Sequence, residues 1–178
     1  MKAFISWMVC MIITLPAQAE EFMDHAQHMS AMNHDSRQLL NYPPDVRTHS
    51  LANMRAHLQT LADIMEAFAN AKYAEAADIA DTRLGMDSPG AAGCRPEEMK
   101  MDMKMSRVTE ADHLNHQMGL LMPEGMRVLG QNMHKSANEF AVKAREAAKD
   151  SNNVPAAAIA LAKIPQQCVA CHDNYRMQ

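Results

Sequence analysis

Apolar residues at Leu51, Met54, Leu58, Leu61, Met65 and Phe68 recur at alternating three- and four-residue intervals, which puts them on one face of a helix. The period predicts a helix from about Asp45 to Ala69. A second, smaller stripe of Tyr73, Ala77, Ala80 and Leu84 predicts a helix over about 73–84 whose Ala-rich face suits close packing. Gly85, Pro89, Gly90 and Gly93 then break the pattern and open a long connection over about 86–122. Inside it, Thr109 and Asp112 have the spacing of a capping box at the head of a short helix. Pro123 suits a first turn, and Met126, Leu129, Met133, Ala137, Phe140, Ala144 and Ala147 predict a long helix ending near Lys149. A last stretch from Val154 or Pro155 faces inward with Leu161, Ile164, Cys168, Cys171 and Tyr175, and Pro165 predicts a kink or restart within it. No segment alternates with period two between hairpin turns, so no sheet is expected. The expected fold is all-α, and a four-helix bundle over 44–178 would bury these stripes.

The first residues follow a different pattern. Lys2 precedes an apolar run from Ala3 to Leu15, followed by "PAQAEE" with Ala17 and Ala19 in small-x-small spacing. This is the form of a secretory signal peptide over 1–19, cleaved after Ala19. About 13 apolar residues fall short of the roughly 20 that a spanning helix needs, so no membrane span is expected after cleavage. Removing 1–19 takes away Lys2 and no acid, moving the net charge from −4 to −5 with His neutral. That sign excludes nucleic acid and anionic membrane as expected partners. Residues 20–43 are rich in Met and His, lack a sustained period, and read as a mobile arm closed by Tyr42, Pro43 and Pro44.

Chemistry concentrates at "CVACH", Cys168 to His172. A C-x-x-C-H attaches haem by adding two thiols across the porphyrin vinyl groups, with the His ligating iron. On a helix these positions share one face, so both thiols and the imidazole can serve one haem. A zinc site would need further ligands, and Cys94 is the only other cysteine left after cleavage. A redox C-x-x-C belongs at a helix start after a strand, and a structural disulfide gives His172 no role. Cys94 itself is either a free thiol or one end of an intermolecular disulfide.

The motif lies late in the chain, so candidate sixth ligands are upstream. A C-x-x-C-H-x-x-[YF]-R, here Cys168 to Arg176, on the last helix of an all-α protein resembles the cytochrome c′ family. The resemblance spans roughly 47–176, and its most specific part is those nine residues. It implies one covalent haem c, His172 as axial ligand, Arg176 close to that His, and a homodimer built on the first two helices. Arg47, Leu51 and His57 match the family's spacing in the first helix, which implies Leu51 on the open side of the haem. Met54, one turn further on, is the alternative iron ligand. His49 and His57 lie off the apolar stripe and read as solvated surface residues, and Tyr175 as packing.

The resulting expectation is an exported, periplasmic mono-haem cytochrome that passes electrons to a redox partner protein. The alternative is a five-coordinate haem binding nitric oxide or another small gas. No nucleophile–base pair or acid pair is recognisable, so the chain is not expected to be an enzyme, peroxidase-like or gas-detoxifying chemistry at an open iron aside. Eighteen Met are well above ordinary usage. Met23, His25, His28, Met29, Met32 and His34 form one tract, and Met99, Met101, Met103 and Met105 alternate in a second. Both suit Cu(I), so copper is an additional candidate cofactor, with His113 and His116 as further donors.

Overall fold

The computed structural model describes residues 35–95 and 109–178. The signal-peptide reading, the arm's Met/His tract and the alternating methionines lie outside the described residues. Arg37–Gln178 form one compact unit.

Among the described residues, five α-helices carry the fold. They are α1 (Pro44–Ala69), α2 (Tyr73–Arg83), α3 (Glu110–Leu121), α4 (Glu124–Lys149) and α5 (Val154–Asn174). A 3-10 turn, Pro89–Cys94, follows α2, and another, Ser151–Asn153, leads into α5. The chain is all-α in character and tightly packed. Two of the helices, α1 and α3, begin where local chemistry directs. Pro44 fills the first turn of α1, where its missing N–H costs nothing. At α3, Thr109 Oγ1 accepts from Asp112 N while the Asp112 carboxylate accepts from Thr109 N, so the expected capping box is present.

The main core joins α1, α2, α4 and α5. Ile64, Leu84, Phe140 and Ile164 are its largest buried members, and alanines on α2, α4 and α5 let the backbones approach. Phe140 meets Phe68 edge-on at 5.8 Å between ring centres, and Tyr73 closes the stack at 5.2 Å from Phe68. Polar pairs fix the rim. Arg145 bridges Asp78 and Asp81 at 3.0 Å each, and Asn138 donates to Asp81 at 2.6 Å.

Three features depart from the sequence reading. On α1 the buried positions are Val46, Ser50, Thr60, Ile64 and Ala67, whereas Leu51, Leu58 and Met65 are exposed. The inward face is rotated from the apolar stripe because it includes polar groups; Thr60, for example, returns its hydroxyl proton to the Ala56 carbonyl. In α5 the helix runs unbroken through Pro165. Proline removes one donor there, and burial of Ile164 on one side and Cys168 on the other keeps the helix together. Finally, two three-residue strands exist. β1 (Gln38–Leu40) pairs in parallel with β2 (Tyr175–Met177), so the arm's last residues are bound to the chain beyond α5. Such short strands show too few alternations to be seen in a sequence.

By length and composition, Ser151–Asn174 is the one stretch among the described residues that could cross a membrane. It lies along α4, with Ala160 and Ile164 in the common core.

Candidate functional site

Cys168, Cys171 and His172 lie in the last two turns of α5. Both cysteines are half-buried free thiols. Cys168 packs against the main core and its thiol leans on the Ile164 carbonyl at 3.7 Å. Cys171, one turn on, enters a second apolar cluster made of Leu40, Val46, Cys94, Met118, Met122 and Met126. His172 is exposed, and its ring has no partner among the described residues. Its backbone carbonyl accepts from Arg37 Nη1 at 3.2 Å. The two thiols thus face the protein interior from one helix edge, and the imidazole stands beside them at the edge of that face.

The second cluster is rich in sulfur. Met54 from α1, Met177 from β2 and Tyr42 pack around it, and the Tyr42 hydroxyl reaches Met126 Sδ at 3.8 Å. Burial raises the pKa of its groups. Tyr42 is pushed up to about 12 by burial and then by the nearby Cys171 and Cys94 thiols. Cys94 rises to about 11, first through burial and then through Cys171. Cys168 and Cys171 are also raised, mainly by burial. All three thiols therefore stay protonated at neutral pH.

The candidate residues on the first helix are separated by the rotation of α1. Leu51 is 37% exposed and is not a member of the second cluster, while Met54 is half-buried and packs against that cluster, as Cys171 does. Arg47 donates to the Gln178 carbonyl at 3.0 Å and so clasps the end of β2. Arg176 does not extend α5. The helix ends at Asn174, and Arg176 stands in β2 opposite Leu39. Tyr175 packs in the second cluster, with its hydroxyl close to Gly125. Cys94 is buried, and its thiol is unpaired within this chain among the described residues.

Two histidines read differently in the structure. His49 is half-buried and its Nε2 pairs with Asn115 Oδ1 at 2.8 Å, tying α1 to α3. His57 is half-buried, and its ring meets His134 of α4 edge-to-face at 5.3 Å between centres. His134 is absent from any motif. Its one signal is position, next to Met133 on the buried stripe of α4. His113 lies half-buried at 2.8 Å from the Gln117 amide. Among the described residues no group of three or more His, Cys, Asp or Glu is arranged to hold a metal ion.

No family model, no curated protein and no solved structure matches this chain.

Proposed function

We propose that the chain is a c-type cytochrome of the cytochrome c′ kind, a four-helix bundle that carries one covalent haem on α5 and transfers electrons. The observation that carries this reading is the placement of "CVACH" on one helix edge: two free, half-buried thiols three residues apart, with an unpartnered imidazole beside them. That donor set fits haem c. Cys168 and Cys171 would hold the macrocycle as thioethers, and His172 would hold the iron. When bound, the group supplies a ferric/ferrous couple whose potential depends on ligation and burial.

The chain's own residues contribute position and polarity. α5 fixes the spacing of the three side chains, and Ile164 and the main core hold the helix against α4. The second cluster offers thioethers and aliphatic groups, which keep water from the Cys171 side and lower the local dielectric. Arg37 and the β1–β2 pairing secure the backbone at His172.

Electron transfer is favoured over gas binding because the first helix turns Met54, not Leu51, toward the cluster around Cys171. A thioether there suits a filled sixth position. The test is the absorption spectrum of the exported protein in both oxidation states, with and without carbon monoxide and nitric oxide. A pyridine haemochrome of the c type, with a low-spin spectrum indifferent to carbon monoxide, is expected. Protein matured with a competent haem-attachment system yet free of haem overturns the reading. A high-spin spectrum that shifts with carbon monoxide favours the gas-binding form instead.

A further inference from the structure

A second cluster of titratable groups lies away from α5. His57 of α1 and His134 of α4 meet edge-to-face beneath the turn Pro89–Cys94. His134 Nδ1 pairs with the Leu84 carbonyl at 2.7 Å and therefore carries its proton there. His57 Nε2 is buried with no hydrogen-bond partner among the described residues. It presses on Gly90 so closely that a Cβ on that residue would come within 2.4 Å. A neutral His57 satisfies this contact by carrying its proton on Nδ1 and turning the bare Nε2 lone pair to the turn. A second proton on His57 must then sit on Nε2, against Gly90, with no acceptor.

The surroundings offer no relief for such a charge. From α4 the facing group is His134, and from the residue after the turn it is Arg95, whose positive charge opposes protonation of His134. The turn supplies Ser88, whose buried hydroxyl has no partner, and Gly90. No carboxylate among the described residues lowers the cost of charging either ring. Among the described residues no third His, Cys, Asp or Glu joins the two rings in a metal-holding group, so the pair is not arranged as a metal site.

The turn carries a buried thiol. Its last residue is Cys94, buried in the second cluster against Gly130, and the turn is also held by α3 at Gly119, by Gln131 Nε2 on the Cys94 carbonyl at 2.7 Å and by Arg95 Nη1 on the Met86 carbonyl at 2.9 Å.

We infer that His57 and His134 form an acid-released latch: while both rings are neutral the turn closes on α1 and α4, and protonation lifts it and uncovers the Cys94 thiol. Burial, reinforced by His134, holds His57 down to about 4, and burial lowers His134 as well. The latch belongs to the polypeptide and operates with or without haem.

The test is labelling of the full-length mature protein, as isolated, between pH 7 and pH 4 with a thiol reagent that stays active in acid. Modified peptides are located by mass spectrometry, so Cys94 is read separately from Cys168 and Cys171 whatever their state. Relative to unfolded chain at the same pH, Cys94 labelling should rise at least tenfold on acidification while helical circular dichroism persists. The H57F/H134F variant, which keeps the rings but cannot titrate, should stay protected. Equal acid labelling of wild type and variant overturns the latch, as does a thiol still protected at pH 4 or labelling that rises only as helix is lost. Should the variant fail to fold, a ring-carbon titration of wild-type His57 decides: a midpoint well below 6 is expected, and one near 6.5 overturns the proposal.

Discussion

Gly119 is where α3 touches the Pro89–Cys94 turn backbone to backbone. A Cβ there would lie 2.8 Å from the Gly93 carbonyl oxygen, and neither main chain can yield as a flexible side chain can. Gly119→Ala should therefore destabilise the fold by about 1–3 kcal/mol, the usual cost of overpacking. Urea unfolding monitored by circular dichroism checks this, and an unchanged midpoint would contradict the contact. His57 shows what a single residue hides in a sequence. It stands off the apolar stripe of Leu51, Leu58 and Met65, so periodicity assigns it to solvent, yet it is half-buried with its Nε2 enclosed while those three are exposed. An inward face built partly of Ser50, His57 and Thr60 cannot be found by counting apolar residues, because its members are polar groups satisfied or stranded by tertiary contacts.

Among the elements, the long helices were legible because their stripes run for many turns. The α4 stripe from Met126 to Ala147 is buried along its length, apart from the half-buried Leu129. The head of α3 was legible for a different reason, since a capping box is a short-range signal complete within four residues. Thr109→Ala should remove one side-chain acceptor and cost about 1 kcal/mol, measured by denaturant unfolding. The behaviour of α5 at Pro165 was not legible. Whether a proline ends a helix depends on packing to either side, here Ile164 and Cys168. Pro165→Ala restores a donor toward Leu161 and should raise stability by about 1–3 kcal/mol, since interior proline costs up to ~3 kcal/mol in a helix. A lowered thermal midpoint in that variant would mean that the helix is adapted to the proline. The C-x-x-C-H spacing was legible in full, but the partners around Cys171 were not, because they come from β1, α1, the turn, α3 and α4.

At the scale of the whole molecule, titratable groups bound the stable pH range on both sides. His57 has its pKa lowered from 6.5 to about 4, so its contribution is complete above about 6.5 and is lost as pH falls through about 4. Cys94 and Tyr42 are raised, from 9.0 to about 11 and from 10.0 to about 12. Their neutral forms are the buried ones, so their contribution is complete below about 9 and is lost as pH rises through about 11 and 12. Thermal unfolding measured across pH should show a plateau between about 6.5 and 9 with a fall on each flank. In the H57F variant the acid flank should retreat, and in Cys94→Ala part of the alkaline flank should disappear; flanks identical to wild type would assign the falls to other groups.

The parallel pairing of Gln38–Leu40 with Tyr175–Met177 also imposes an order in time. Residues synthesised earlier must wait for residues synthesised much later, because Arg37 and His172, joined across the strap, are 135 positions apart. Closing so long a loop is slow compared with winding any of the helices. Until it closes, the end of α5 has no strand to anchor the chain beyond it, and the second cluster lacks Leu40 and Met177. The nascent protein therefore passes through an interval in which its helices exist but its last thiols are still reachable, and the length of that interval is set by a pair of three-residue strands.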